Sequence, residues 1–244
     1  MNVVFLMGGR NSTEFSNEYP IYLSEVRNHL ILENQIRYVQ SVNPDKVIFC
    51  FKKQDIDQYH VDFIVNSLAS NAHIVPVCGQ TKGSICSALL ASAHIDNEEE
   101  LVLCSVDDCV DVSLTEIVST FRSQQCDAGV VAFRSVHPRY SFVKTDENGV
   151  VCEFSEKRPI STQALASIYY FRKGSDFVRC AKNVIRKDNT IKESFYISQT
   201  LNEMILEQKK IGVHGIDSQE FHPMKTAVQL ANYLKKLELE LESE

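Results

Sequence analysis

Short apolar runs alternate with amphipathic segments of helical periodicity along residues 1–134 of this 244-residue chain. The runs 47–51 and 100–106 are almost purely apolar, which is typical of strands that are buried on both faces of a sheet. Strands that alternate with helices of about ten residues indicate a largely parallel sheet. The pattern therefore predicts an α/β fold, with a Rossmann-like, mixed but mostly parallel sheet flanked by helices.

The predicted elements cover most of the chain. Strands are expected at 2–7, 47–51, 72–77, 100–106, 128–134, 140–144, 150–154, 164–172 and 211–216. Helices are expected at 30–42, 61–70, 83–93, 114–123, 176–186, 196–208 and 228–241.

The rhythm of the pattern changes after residue 134. The strands 140–144 and 150–154 flank an Asp-Glu-Asn-Gly turn at 146–149, which predicts an antiparallel hairpin. The sequence shows no linker-like or low-complexity stretch. We interpret residues 1–244 as a single domain with two lobes, at about 1–134 and 135–244.

The charge balance limits the classes of partner. A net charge of −7 argues against nucleic acid and against an anionic membrane surface. No apolar run approaches the roughly 20 residues that would span a bilayer. The eight cysteines lack a Cys-x-x-Cys pair and lie mostly in apolar runs, which is typical of reduced thiols in a cytoplasmic protein. The sequence leaves a homo-oligomer open.

Two polar loops lie where a nucleotide could bind. Gly8-Gly9 and Arg10 follow the first strand, where glycines let backbone N–H groups approach a phosphate closely. The loop 79–84 precedes a helix, but its residue order does not match a Walker A motif. We therefore reject a P-loop kinase, although this loop could still contact a base edge or a phosphate.

Carboxylates follow the buried strand at 100–106. Asp107 and Asp108 lie at its carboxyl end, where open α/β sheets bind ligands. Because Mg²⁺ prefers carboxylate oxygens together with substrate phosphates, we expect Asp107 to bind this metal. Asp111 is expected instead to cap the helix that begins near Ser113.

The segment Glu153-Phe154-Ser155-Glu156-Lys157-Arg158-Pro159 follows the predicted hairpin turn. Its adjacent Glu156 and Lys157 offer a carboxylate for sugar hydroxyls beside an ammonium for a phosphate. Such a pair suits a protein that handles phosphorylated, hydroxyl-rich small molecules. A solvated surface pair would have the same sequence, so the neighbouring motifs decide its interpretation.

The order and spacing of these features resemble the sugar-phosphate nucleotidyltransferases. The resemblance covers essentially the whole chain, is strongest at 143–171, and extends over Phe195-Tyr196-Ile197-Ser198 and Phe221-His222-Pro223-Met224. It implies a GT-A-like fold, with a nucleotide-binding lobe at 1–134 and a hairpin-containing acceptor-binding lobe at 135–244. It also implies Mg²⁺-dependent nucleotidyl transfer from an NTP to a sugar phosphate or related phosphate. Pyrophosphate would leave, and the activated sugar would serve surface or capsular polysaccharide biosynthesis.

The resemblance assigns roles to single residues. Contacts to the NTP would come from Met7, Gly8, Gly9, Arg10, Gln80, Gly83 and Ser84. Contacts to the acceptor would come from Asp108, Glu156, Lys157, Ser167 and Tyr169. The metal would be held by Asp107 and Asp217, and the catalytic residues would be Asp107, Lys157 and Arg10.

Several positions depart from the family pattern. The opening loop usually runs Gly-x-Gly-Ser/Thr-Arg, and a Pro-Lys-Pro segment usually follows where this chain has Tyr19-Pro20-Ile21. These departures leave two alternatives open. One is a GT-A-type glycosyltransferase that holds its metal with Asp107, Asp108 and Asp111. The other is a non-catalytic paralogue that binds a nucleotide or sugar nucleotide and regulates a partner through the closing helix.

Overall fold

The computed structural model describes residues 1–7 and 19–242, with side chains through residue 239. The strands are β1 Asn2–Leu6, β2 Glu25–Val26, β3 His29–Leu30, β4 Lys46–Lys52, β5 Ala72–Val77, β6 Leu101–Ser105, β7 Asp108–Val110, β8 Ala128–Arg134, β9 Ser141–Thr145, β10 Val151–Glu156, β11 Gln163–Phe171, β12 Ile211–Ile216 and β13 Phe221–Pro223. The helices are α1 Ile31–Gln40, α2 Lys53–Tyr59, α3 Val61–Leu68, α4 Ser84–Leu89, α5 Ser92–Ile95, α6 Leu114–Ser123, α7 Gly174–Arg186, α8 Ile197–Leu206 and α9 Ala227–Glu242.

A mixed sheet runs through the described part of the chain. Its strands lie in the order β10-β9-β11-β6-β1-β4-β5, and β8 pairs with both β11 and β12. The pairs β1–β4, β1–β6, β4–β5 and β8–β12 are parallel, and only β10 and β11 run against the other strands of this sheet. The predicted mixed, mostly parallel α/β sheet is thus confirmed.

Both faces of this sheet are buried. In β1, Val3 and Phe5 join one apolar core with side chains of α1, α3 and α6. Val4 points to the other face and joins a second core with α4, α7 and α8. Because successive side chains of a strand alternate between faces, a strand covered on both sides must be apolar throughout. This requirement explains the unbroken apolar runs of the sequence.

The hairpin is confirmed at β9 and β10. Asp146 begins its turn and accepts hydrogen bonds at Oδ1 from the N–H groups of Asn148 and Val150, each at 2.9 Å. Gly149 has φ +79°, a conformation that glycine adopts at little cost. The predicted lobe boundary falls at the end of β8, although β11 of the second lobe pairs with β6 of the first.

The sequence pattern missed the shortest and most polar elements. Helix α2 (KQDIDQY) has no continuous apolar stripe. Strands β7 and β13 are three residues each and form a separate two-stranded sheet. The helix predicted at 83–93 is two shorter helices, α4 and α5.

The capping role predicted for Asp111 is wrong. The N-cap of α6 is Ser113, whose Oγ accepts a hydrogen bond from the Thr115 N–H at 3.2 Å. The Asp111 carboxylate lies instead 2.8 Å from His222 Nε2 and 3.3 Å from Lys236 Nζ, which links β7 to β13 and α9. Asp111 therefore stabilises the small two-stranded sheet.

The closing helix packs on its own domain. Leu230, Tyr233, Leu234 and Leu237 of α9 form a cluster with side chains that include Val26 and Met224. The chain thus supplies the surface that covers the apolar stripe of α9. Among the described residues, no helix is both long and apolar enough to cross a bilayer.

Candidate functional site

A cavity of about 660 Å³ opens at the carboxyl ends of β1 and β6. These strands are parallel neighbours, so residues that follow them reach the same edge of the sheet. The cavity extends from there to the ends of β9 and β10. Its polar and charged lining side chains include Gln80, Thr81, Ser84, Ser105, Asp107, Arg139, Tyr140, Ser141, Glu156, Lys157, Ser167, Tyr169, Lys192, Tyr196 and Lys225.

The loop 79–84 is bound tightly to the segment before α8. The Phe195 N–H donates to the Lys82 carbonyl at 2.8 Å, and the Ile197 N–H donates to Ser84 Oγ at 3.2 Å. Gly83 has φ +103°, and an added Cβ would lie 2.4 Å from the Phe195 carbonyl oxygen. A glycine is therefore needed here for both backbone conformation and space.

We expect Gly83→Ala to destabilise the fold by about 2–4 kcal/mol, since it adds left-handed strain to a backbone clash. Gly79→Ala is the matched control, because Gly79 has φ +75° but a Cβ added there would meet no atom within 4 Å. The control should cost about 1–2 kcal/mol from backbone strain alone. Urea unfolding of both variants measures the difference, and equal costs would show that the contact with Phe195 contributes nothing.

Two neighbouring carboxylates, those of Asp107 and Asp108, lie where β6 turns into β7. Asp107 lines the cavity, and its carboxylate accepts a short hydrogen bond from Ser105 Oγ. Asp108 does not line the cavity: its side chain is 1% exposed and lies 2.8 Å from Lys225 Nζ. The two neighbouring carboxylates therefore have different surroundings and cannot share one role.

Backbone pairing of the two preceding residues places Lys225 beside Asp107 and Asp108. Pro223 pairs with Asp108 across β13 and β7, and the Met224 N–H donates to the Asp107 carbonyl at 2.7 Å. Burial raises the pKa of Asp108, whereas the Lys225 ammonium works to lower it. Burial works to lower the pKa of Lys225, but Asp108 and Asp107 outweigh it and raise the pKa. Lys225 therefore carries a fixed positive charge.

Glu156 and Lys157, at the end of β10, form another part of the cavity lining. Glu156 pairs with Ser141 across the hairpin, and its carboxylate accepts hydrogen bonds from Ser141 Oγ and, at 3.0 Å, from Ser198 Oγ. Lys157 has φ +57°, and its Nζ donates to the Tyr196 hydroxyl at 2.6 Å. Both side chains are thus oriented by neighbouring elements, as a preformed binding site requires.

Burial raises the pKa of Glu156 above its usual 4.5, against the hydrogen bonds from Ser141 and Ser198. Because the folded protein holds this proton more tightly, its contribution to stability is complete below about pH 4.5 and is lost as the pH rises through the folded-state value. Glutamine does not ionise, so Glu156→Gln should not show this loss of stability. We expect the melting temperature of the variant minus that of the wild type to be larger at pH 8 than at pH 4.

Glu153→Gln is the control for this pH dependence. Glu153 lies on the same strand, but its half-exposed carboxylate pairs with Arg158 at 3.0 Å. Its melting temperature relative to wild type should not rise between pH 4 and pH 8. The same rise in both variants would contradict the attribution to burial of Glu156.

The structure brings most of the predicted site residues together. One cavity is lined by Met7, Gln80, Gly83, Ser84, Asp107, Glu156, Lys157, Ser167 and Tyr169. Gly8, Gly9 and Arg10 lie outside the described residues. Asp108 does not line the cavity and lies behind Lys225 and Ser167, which do.

Asp217 is not brought to Asp107. Its carboxylate caps a short 3₁₀ helix at Ser218–Glu220, where it accepts from the Gln219 N–H at 3.1 Å. Within the described residues, Asp217 is not part of the cavity lining. Its predicted metal role therefore lacks a shared site, because a surface capping interaction already accounts for this carboxylate.

The sequence reasoning missed several cations of the site. Arg139, Lys192 and Lys225 line the cavity with Lys157. Arg139 and Lys192 lie in loops without a motif, and Lys225 follows a strand too short to show periodicity.

The donor set fits a magnesium ion that is bound mainly by its substrate. The described residues contain no group of three or more His, Cys, Asp or Glu side chains that could hold a metal alone. Mg²⁺ commonly binds one or two carboxylates and completes its shell with water and substrate phosphates. Asp107, which is half-buried and lines the cavity, can supply one such carboxylate.

Solved structures of sugar-nucleotide pyrophosphorylases share this architecture. The nucleoside-diphosphate-sugar pyrophosphorylase from Vibrio cholerae RC9 matches with a TM-score of 0.82 and 19% identity, over 96% of this chain and 99% of that chain. A UDP-glucose pyrophosphorylase complexed with UDP-glucose matches with a TM-score of 0.77 and 14% identity, over 98% of both chains. This chain has the nucleotidyltransferase fold.

One curated protein is a distant relative in sequence. The bifunctional protein GlmU of Buchnera aphidicola subsp. Schizaphis graminum (strain Sg) is 22% identical over 95% of this chain. The chain spans about half of that relative's length, since the match covers 50% of it. No family model matches the chain. The nucleotidyltransferase fold predicted from the motifs is confirmed.

Proposed function

We propose that this protein transfers a nucleotidyl group from an NTP to a sugar phosphate in an Mg²⁺-dependent reaction. An oxygen of the acceptor phosphate attacks the α-phosphorus of the NTP. The bond from the α-phosphorus to the bridging oxygen of the β-phosphate breaks, and pyrophosphate leaves with that electron pair. The product is a nucleoside diphosphate sugar.

One observation carries the proposal: Asp107 and the Glu156–Lys157 pair line the same cavity, although they lie far apart in the sequence. A transfer between two bound phosphates needs both substrates in one enclosure, with the reacting atoms in contact. The volume of about 660 Å³ is in the range of small-molecule sites, roughly 300–1,000 Å³.

The two ends of the cavity suit the two substrates. Met7 and the loop 79–84 offer backbone groups and the Gln80 amide to a nucleotide, near the carboxylate of Asp107. Lys157 offers its ammonium to the acceptor phosphate, and Glu156 accepts hydrogen bonds from sugar hydroxyls. Asp107 would hold Mg²⁺, which neutralises phosphate charge when bound. Arg10 remains a proposed further contact to the NTP.

The environment of Asp108 argues against a glycosyltransferase. That alternative places the carboxylates of Asp107, Asp108 and Asp111 on one metal. Asp108 is buried and bound to Lys225, and Asp111 contacts His222 and Lys236. The Glu156–Lys157 pair would also have no role in transfer from a sugar nucleotide.

We further propose that the activated sugar serves surface or capsular polysaccharide assembly, where nucleotide sugars are the usual glycosyl donors. The similarity to sugar-nucleotide pyrophosphorylases supports a sugar nucleotide as the product.

Pyrophosphate release tests the reaction. The protein is incubated with each NTP and a set of sugar 1-phosphates, with Mg²⁺ or with EDTA, beginning with UTP and glucose 1-phosphate. We expect release from at least one pair, only when Mg²⁺ and acceptor are both present. Tight NTP binding without release from any pair would favour the regulatory paralogue, and binding of a sugar nucleotide alone would favour the glycosyltransferase.

A further inference from the structure

Lys225 is a cation of the cavity that the assigned roles leave unused. Its Nζ lies 2.8 Å from Asp108, whose side chain is 1% exposed, while the lysine side chain itself remains 46% exposed along the cavity. An ion pair with one buried and one accessible partner anchors the accessible charge. Asp108 therefore fixes Lys225 in the lining of the cavity.

The backbone around Lys225 supports the same placement. The hydrogen bond from the Met224 N–H to the Asp107 carbonyl, at 2.7 Å, joins the residue before Lys225 to the expected metal ligand. The preceding residues are fixed by the pairing of β7 with β13 and by the contact between Asp111 and His222. Pairing thus fixes the backbone up to Met224, and Lys225 follows it directly.

A fixed ammonium beside Asp107 suits a polyphosphate. Lysine is a compact point charge with three donors, and phosphate is a frequent partner of such a charge. Cations that are already in place stabilise charge that develops on a leaving group without reorganisation at the moment of reaction. The leaving group of the proposed reaction, pyrophosphate, gains such charge.

We propose that Lys225 is a built-in cation of the nucleotidyl-transfer site that binds the pyrophosphate end of the NTP, and that Asp108 is its positioning residue. This inference rests on the proposed function. It moves Asp108 from acceptor binding to the support of Lys225. Lys225 thereby supplies a positive charge to the cavity, whereas Asp217 does not line it.

Pyrophosphate binding without metal tests the inference apart from turnover. Binding of inorganic pyrophosphate is measured by calorimetry in EDTA for the wild type and for Lys225→Met. We expect the variant to bind at least about tenfold more weakly, the effect typical of losing one charged hydrogen-bond donor. Lys182→Met is the matched control, because Lys182 is 49% exposed and pairs with Asp96 outside the cavity. Its affinity should equal that of the wild type.

A double-mutant cycle tests the role of Asp108. Asp108→Asn should weaken pyrophosphate binding in the wild-type background but have no further effect in Lys225→Met, because it acts through the lysine. The double variant also removes the buried carboxylate that Lys225→Met leaves without its lysine, so it should melt at a higher temperature than Lys225→Met. If Lys225→Met unfolds, the affinity of the double variant for pyrophosphate is compared with that of the wild type in its place.

The outcomes separate this inference from the proposed function. Equal affinity of folded Lys225→Met and wild type, or no metal-free binding by the wild type, would overturn the role of Lys225. Additive effects of the two substitutions would overturn the positioning role of Asp108. Absence of turnover with every substrate pair would instead refute the proposed reaction, whatever the affinity ratio.

Discussion

Asp107→Asn is expected to lower the rate of pyrophosphate release by about 10²–10³-fold, the loss typical of removing one group that stabilises transition-state charge. The substitution keeps the size of the side chain and its contact with Ser105 Oγ, but it removes the charge that would hold Mg²⁺. We therefore expect the melting temperature to stay near that of the wild type. Stabilisation by an NTP should no longer depend on Mg²⁺ in thermal-shift measurements.

Asp57→Asn is the control for this prediction. Asp57 is exposed on α2, where it pairs with Lys53 and does not line the cavity. Its rate should equal that of the wild type. If Asp107→Asn kept full activity and Mg²⁺ dependence, the metal would have to be held elsewhere. If the variant unfolded, Asp107 would have a structural role.

Lys157→Met is expected to lower kcat/KM for the acceptor by about 10–100-fold, since a hydrogen bond to a charged group contributes about 1.5–3 kcal/mol. The loss should fall mainly on KM for the sugar phosphate, because Lys157 lies on the acceptor wall with Glu156. The affinity for the NTP should change little. Steady-state kinetics with each substrate varied in turn measures this separation.

Lys157→Arg keeps the charge and should recover part of the loss. Both variants keep the left-handed backbone of residue 157, which has φ +57°, so the comparison isolates the end of the side chain. An equal loss in KM for both substrates would contradict an acceptor-specific role. Activity of Lys157→Met at the wild-type level would remove Lys157 from the site.

The parts of the fold that the sequence predicted are those with long, regular burial. The interiors of β4 and β6, at 47–51 and 101–104, are apolar because helices cover both faces, and α7 carries a clear amphipathic pattern. β7 and β13 have three residues each, too few for any period to emerge. Their pairing depends on contacts between residues more than a hundred positions apart, which a local pattern does not contain.

The candidate site was predictable where a strand end positions the residue. Asp107 follows β6, Glu156 ends β10 and Lys157 comes directly after it, so strand ends position all three residues in the lining of one cavity. The different environments of Asp107 and Asp108 were not predictable, because adjacent carboxylates look alike in a sequence. Lys225 was missed for a related reason: its place depends on the pairing of β13 with β7.

The most direct measurement is ³¹P NMR of the protein with Mg²⁺, an NTP and a sugar 1-phosphate. The central claim is that one cavity holds both phosphates for direct transfer. It predicts that resonances of pyrophosphate and of a new diphosphate diester grow at equal rates with the wild type, and much more slowly with Asp107→Asn. Release of orthophosphate alone, or product formation that is the same in both proteins, would contradict it.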